Sequence, residues 1–211
     1  MEVSKRPETP GAVMKAVGAS KAVADKPMMD KTLVGMLVFL SSESVFFLLL
    51  ILSYLYYGGK GTTGPNSSTD GILDIARTGI FTVFLLSSSI TIFMADRSIA
   101  KGNRRAFVIW LVATIVLGAI FLVGQVTEYL SLFDKQINLS RNTFGTTFFT
   151  LTGFHGLHVF VGLLALGTTA ILAATKNIKM GHNPGVEAVS FYWHFVDVVW
   201  IVVFSVVYIF K

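Results

Sequence analysis

Cysteine is absent from this sequence of 211 residues, and charged residues are scarce. Without cysteine the chain cannot form a disulfide, a thiolate metal site or a cysteine nucleophile. Charged residues make up 14%, against roughly a quarter in soluble domains, while 53% of the residues are hydrophobic and the mean hydropathy is +0.68. This balance is typical of a membrane protein. The net charge of +5 therefore bears on membrane orientation and does not indicate a nucleic-acid partner.

Five segments are long and apolar enough to cross a bilayer, which takes about 20 mostly apolar residues. They cover approximately residues 33–57, 78–95, 106–127, 143–174 and 187–210. The sequence predicts an all-α integral membrane protein with five transmembrane helices in one bundle, formed by residues 32–211. Residues 1–31 form a polar, basic N-terminal arm that shows no cleavable secretory signal.

Lysine and arginine are distributed unevenly between the two sides of these spans. The arm and the loops after the second and fourth spans hold twelve of them, and the opposite side holds five. Because positive loops stay in the cytoplasm, we predict a cytoplasmic N-terminus and a C-terminus on the outer, periplasmic side.

One carboxylate, Glu43, lies in the middle of the first span. An aspartate at such a position costs roughly 2.5–3.5 kcal/mol on insertion, and each Leu, Ile, Phe or Val returns roughly 0.3–0.6 kcal/mol. Fifteen such residues lie between Leu33 and Leu55, so insertion is still favoured. Glu43 is either hydrogen-bonded between helices or part of a proton path.

The last span carries a polar stripe. At 100° per residue its polar members fall within about an 80° arc of the helix; they are Glu187, Ser190, His194, Asp197, Ser205 and Tyr208. His194 and Asp197 are three residues apart and can pair on one face. Trp193, Trp200 and Glu187 are candidates for contact with lipid or with a neighbouring chain.

The third and fourth spans add Glu128, His155 and His158 to the intramembrane polar residues. The two histidines could chelate together, but a zinc site needs further ligands, and no Glu-x-x-His pair of a di-iron bundle occurs in the spans. We therefore predict no metal ligand and no catalytic residue. An interhelical hydrogen-bond network is favoured over a proton path or a redox site.

Four ordered motifs resemble one known family, subunit III of the haem-copper terminal oxidases. They are GMLVFLSSESVFF around Glu43, GQVTEY with Glu128, TFGTTFFTLTGFHGLHVFVG with both histidines, and FYWHFVDVVWIVVFSVVYI. Their order and separation also agree, over about residues 33–210. The longer members of this family have seven helices. The chain lacks the first two and is similar to the short, five-helix bacterial form.

The resemblance implies a subunit without its own cofactor, in a complex that reduces dioxygen to water and pumps protons across the bacterial inner membrane. Haem and copper would belong to subunits I and II. This chain would pack on subunit I, bind phospholipid, and support sustained turnover and proton uptake, with Glu43 matching the carbodiimide-reactive glutamate of the family.

Three alternatives remain open at the level of sequence. The chain could serve a quinol oxidase or a nitric oxide reductase instead of a cytochrome c oxidase. The intramembrane histidines could belong to a proton-coupled transporter, although the inverted repeats of such proteins are not visible. Redox metal binding by the chain itself is the third.

Overall fold

The structure is a computed structural model, and it describes residues 30–58, 74–134 and 143–209. Five α-helices follow one another: α1 Lys31–Gly58, α2 Ile75–Ala100, α3 Arg104–Asp134, α4 Thr143–Ala174 and α5 Pro184–Phe204, the last continuing into a π-helical turn, Ser205–Ile209. Each is long and apolar enough to cross a membrane. The prediction of an all-helical, five-span membrane protein is confirmed. The cytoplasmic N-terminus and the division at residue 31 stay predictions, and most of the N-terminal arm lies outside the described residues.

Helices α2 and α5 begin at capping residues that lie outside the apolar segments. The side chain of Asp74 accepts from the backbone N–H of Arg77 at 3.0 Å, and Asn183 accepts from Gly185 and Val186 with Pro184 in the first turn. These are favoured N-terminal signals, because a short polar side chain satisfies N–H groups that have no partner within the helix. α2 and α3 therefore extend several residues beyond the predicted spans.

Helices α2 to α5 form a four-helix core. In this core α2 packs on α3, α3 on α4, α4 on α5 and α5 back on α2. Large aromatic side chains fill the centre of the core, and lipid-facing positions carry exposed Val, Leu, Ile and Phe. Lipid is as apolar as these side chains, so close packing and interhelical hydrogen bonds must stabilise the bundle.

Helix α1 lies beside this core and contacts α4 and α5 through one face. Phe46 packs edge-on against Phe154 at 5.1 Å between ring centres, and Phe47 packs against His158 at 5.0 Å and Phe195 at 6.5 Å. The same face of α1 carries Glu43.

The connections α2–α3 and α4–α5 are hydrogen-bonded to each other at one end of the core. The guanidinium of Arg104 donates to the carbonyls of Ala173 and Ile178 at 2.6 and 2.9 Å, and the N–H of Gly181 donates to Ile99. We call this the basic end, since its helix ends and connections hold Arg97, Lys101, Arg104, Arg105, Lys176 and Lys179.

Candidate functional site

Glu43 and His158 form a pair between α1 and α4. The Nε2 atom of His158 lies 3.1 Å from Oε2 of Glu43, and its Nδ1 lies 2.7 Å from the carbonyl oxygen of Phe154. A carbonyl only accepts, so Nδ1 carries a hydrogen and Nε2 faces the carboxyl group. A hydrogen bond between Nε2 and Oε2 therefore requires one further proton, carried either by the carboxyl group or by the imidazole ring. The sequence named both residues but did not indicate that they meet.

An apolar groove opens beside this pair, where α1, α4 and α5 diverge. Its volume is about 360 Å³, and it is lined by Met36, Phe39, Leu157, His158, Val161, Ala165, Val189 and Tyr192. The hydroxyl of Tyr192 donates to the backbone carbonyl of His158 at 3.0 Å, so the polar end of this ring is turned to the protein. Such a surface suits an acyl chain, because it offers apolar contact and almost no hydrogen-bonding groups.

His155 points away from His158, into the aromatic centre of the core. Its ring is fully buried and stacks on Trp200 with 4.7 Å between ring centres, while the edges of Phe121 and Phe47 close around it. Neither ring nitrogen has a hydrogen-bond partner among the described residues. The two histidines therefore do not chelate together. In the described part of the chain, no group of three His, Asp or Glu side chains could hold a metal ion.

The polar stripe of α5 faces α2 and forms a seam with it. Near the basic end Ser190 donates to Asp96 at 2.5 Å, and two turns further Ser89 donates to Oδ2 of Asp197. Nδ1 of His194 lies 3.1 Å from the same serine oxygen. The sequence predicted a direct pair of His194 and Asp197. Instead, the structure links both to the hydroxyl of Ser89.

One atom of this seam remains without a partner. Asp197 is only 2% exposed, and its Oδ1 atom accepts no hydrogen bond from any described residue. A buried acceptor left in this state costs about 1–3 kcal/mol.

Trp193 and Trp200, which the sequence offered as contacts for lipid or a neighbouring chain, lie inside the core instead. Their indole N–H groups donate to Ser88 at 2.8 Å and to Thr82 at 2.9 Å. Since both donors are satisfied within the protein, neither ring needs the interface with water. Glu187 is partly exposed at the basic end, where it contacts His182 at 2.7 Å.

Glu128 is the buried carboxyl group at the opposite end of the seam. It accepts from the hydroxyl of Tyr208 at 2.9 and 3.0 Å and from that of Thr78 at 3.0 Å. Glu128 on α3 is thus joined to α2 and to the π-helical turn after α5. Sequence reasoning missed Thr78 and Thr82. The sequence contains one pattern that could have indicated the contact between α2 and α5. Thr82, Ser89 and Asp96 are spaced seven residues apart on α2, and Ser190 and Asp197 have the same spacing on α5.

These contacts describe a set of interhelical hydrogen bonds with two distinct features, the Glu43–His158 pair beside an apolar groove and the α2–α5 seam. The first joins α1 to α4 at the edge of an apolar groove. The second fixes two helices against each other.

Comparison with known proteins gives a consistent result. A family model described as cytochrome c oxidase subunit III matches residues 17–211. The cytochrome c oxidase subunit 3 of Thermostichus vulcanus is 40% identical over 181 residues, covering 85% of this chain and 88% of the relative. That of Corynebacterium diphtheriae is 36% identical over 200 residues, covering 92% and 95%. That of Pisaster ochraceus is 34% identical over 179 residues, covering 82% and 68%.

Proposed function

The chain belongs to the cytochrome c oxidase subunit III family, and we propose from this that it is a non-catalytic core subunit of a proton-pumping haem-copper oxidase that reduces dioxygen to water. The observation that carries the proposal is the match over residues 17–211 together with the coverage of 95% of a bacterial relative. Haem and copper would be held by partner subunits I and II. The chain would act in the bacterial inner membrane.

The role proposed for this chain is to pack on subunit I and to keep the complex active during sustained turnover. The four-helix core supports this role, because its interhelical hydrogen bonds are directed inward and leave long apolar faces for lipid or another subunit. A support of this kind needs a fixed shape more than a reactive group.

The proposed link to proton uptake rests on Glu43 and His158. Nε2 of His158 and Oε2 of Glu43 lie 3.1 Å apart at a half-buried position, within reach of proton exchange, and the apolar groove beside them suits the acyl chain of a bound phospholipid. An exchangeable proton next to a lipid site is consistent with a residue that supports proton supply without taking part in oxygen chemistry.

Purification of the tagged chain from its native membrane in mild detergent tests the proposal. We expect haem-bearing chains to co-purify and oxygen consumption to accompany them, with no haem absorbance in the chain purified alone. Recovery as a stable, haem-free homo-oligomer without any oxidase partner would sink the proposal.

The electron donor is decided by the same preparation. We propose cytochrome c, because the three relatives described above are cytochrome c oxidase subunits. Oxygen consumption driven by reduced cytochrome c and a co-purifying chain with copper-centre cysteines would support this. Activity with a quinol alone would assign the chain to a quinol oxidase.

A further inference from the structure

A recess opens at the basic end, between the end of α2 and the start of α5. Its volume is about 300 Å³, and its polar lining consists of Asp96, His182, Asn183 and Glu187. Water from the adjoining aqueous phase can enter a recess of this size and polarity.

From this recess, hydrogen-bonding side chains continue into the α2–α5 seam. Asp96 lines the recess and accepts from Ser190. His194 lies one helical turn beyond Ser190, and Ser89 connects His194 to Asp197. The seam therefore leads from the recess to a carboxyl group within the membrane-spanning part of α5.

The donors and acceptors in the seam have a direction. Ser89 has a single hydrogen and gives it to Asp197, whose carboxylate only accepts, so the hydrogen on Nδ1 of His194 points to the serine oxygen. A proton taken up by His194 at Nε2 can release the Nδ1 proton to Ser89, and the serine proton then passes to Oδ2 of Asp197. The reverse sequence returns it to the recess.

Asp197 also has a free acceptor. Its Oδ1 atom is buried without a partner in the described chain, and buried water typically satisfies such atoms. A water molecule on Oδ1 would donate a hydrogen bond to that atom both before and after the proton arrives, because the acid hydrogen lies on Oδ2 and faces the oxygen of Ser89.

Two buried indole rings flank Asp197 on α5, one turn before it and one turn after it. The indoles of Trp193 and Trp200 are at most 1% exposed and give their N–H groups to Ser88 and Thr82. Neither N–H can accept a proton, and Trp200 lies between Asp197 and Tyr208, the residue that binds Glu128.

The ionisable groups around this part of the seam are few. α2 presents Asp96, the α4–α5 connection presents His182, and α5 presents Glu187, His194 and Asp197. α3 faces α2 there with the neutral Thr114, which contacts Thr91. Glu43 and His158 of α1 and α4 lie on the opposite face of α5, near Tyr192 and Phe195, and His155 of α4 is separated from the seam by the ring of Trp200.

We propose that Asp197, with a water molecule on Oδ1, is a proton-storage site that fills and empties only from the basic end, through His194 and Ser89. The site would hold one proton and pass none to the other side of the membrane. It rests on the seam alone and does not require that the chain be part of an oxidase.

Infrared spectroscopy of the full-length chain in lipid nanodiscs tests this proposal. We expect a carboxylic-acid C=O band that is lost in Asp197→Asn and that shifts promptly when H₂O is replaced by D₂O. In Ser89→Ala the band should remain, while its exchange slows by roughly a hundredfold, the lower end of the effect of a positioned proton-transfer group. Ser87→Ala is the matched control, because Ser87 lies on the same helix and its hydroxyl donates to the backbone carbonyl of Val83, one turn earlier in that helix.

Two results would overturn the proposal. One is a carboxyl band that stays unshifted in D₂O while the loop amides exchange, and the other is the same exchange rate in Ser89→Ala as in Ser87→Ala. Should Asp197→Asn fail to accumulate, Asp197→Glu moves the band to the glutamic-acid position and makes the same assignment. Loss of the band with normal haem co-purification would leave the proposed function intact.

Discussion

At the scale of single residues, two glycines determine whether Trp193 fits in the centre of the core. A Cβ atom on Gly118 would lie 2.7 Å from the Trp193 ring, and one on Gly162 would lie 2.9 Å from it. The ring is fully buried and its N–H is bound to Ser88, so it cannot move aside. Gly167 on the same helix as Gly162 has no atom within 4 Å of such a Cβ.

These two positions of α4 give a matched pair of substitutions. We expect Gly162→Ala to lower the free energy of unfolding by roughly 1–3 kcal/mol through overpacking. Gly167→Ala should leave it unchanged or raise it by up to about 1 kcal/mol, because alanine is the better helix former. Unfolding in mixed micelles followed by tryptophan fluorescence measures both. Equal effects would mean that the contact of Gly162 with Trp193 does not limit packing.

Glu43 can be tested separately as a structural and as a proton-exchanging residue. Gln at this position can still donate a hydrogen bond to Nε2 of His158, whereas Leu leaves that nitrogen unpaired at a cost of about 1–3 kcal/mol. We expect Glu43→Gln to keep the stability of the chain and Glu43→Leu to lose it, measured by the same unfolding assay.

In the intact complex, Glu43→Gln should speed inactivation during turnover and slow proton uptake, since an amide cannot store a proton. Stopped-flow proton uptake and the decay of oxygen consumption measure these effects. If neither changes, Glu43 has only a structural role.

The sequence identified Glu43 and His158 as unusual because ionisable residues are rare in apolar segments. It could not indicate that they meet, because their contact depends on how α1 lies against α4, 115 positions further along the chain. The same limit applies to Ser89. Its role depends on the approach of α5 and not on its neighbours in the chain.

At the scale of helices, α2 and α4 end in the same backbone motif at the basic end. The N–H of Asn103 bonds to the carbonyl of Ser98, and that of Asn177 bonds to Leu172. In both, the residue before the asparagine is left-handed: Gly102 with φ 74° and Lys176 with φ 64°. Glycine takes this conformation without the steric cost that a side chain meets.

Substitutions at these two positions should therefore act in opposite directions. We expect Gly102→Ala to destabilise the chain by about 1 kcal/mol or more, and Lys176→Gly to stabilise it by up to about 1 kcal/mol. Lys176→Ala, which removes the charge but keeps the side-chain strain, is the control and should give no gain. A gain in thermal midpoint for Lys176→Ala as well would assign the effect to charge.

Hydropathy located all five helices but misplaced several of their ends. It reports where lipid lies, whereas Asp74, Asn103 and Asn183 set the ends through hydrogen bonds outside the apolar window. The predicted polar arc on α5 assumes a uniform 100° per residue. The structure departs from this assumption after Phe204, where the π-helical turn begins. Tyr208, which contacts Glu128, lies in this turn.

At the scale of the whole molecule, the sequence predicted the number of helices and their apolar surfaces but not which helices are neighbours. Each of the spans has polar residues on one side, and many pairings would bury them. The structure selects a four-helix core with α1 outside it. A count of hydrophobic segments carries no information on that arrangement.

Asp197 connects this arrangement to assembly with partner subunits. Asp197→Ala removes the acceptor of the Ser89 hydroxyl. Because Ser89 and His194 then lose part of their hydrogen bonding, the packing of α5 on α2 should loosen. We expect less of the chain to co-purify with haem-bearing subunits, while complexes that do form keep their oxygen chemistry. The haem-to-chain ratio and the oxygen consumption per haem measure the two effects. Normal co-purification with abolished oxygen consumption would contradict this.

The distribution of the α2–α5 contacts along the whole seam has a consequence for biogenesis. Asp96 meets Ser190, Ser89 meets Asp197, Thr82 meets Trp200, and Thr78 shares Glu128 with Tyr208. Apolar helix surfaces would tolerate a slip of one turn, about 5.4 Å, but such a slip would break all of these contacts together. A newly inserted α5 that has stopped at the wrong depth in the bilayer would remain loosely attached and free to move until every contact forms. The seam would thereby favour the correct insertion depth of the last helix over all others.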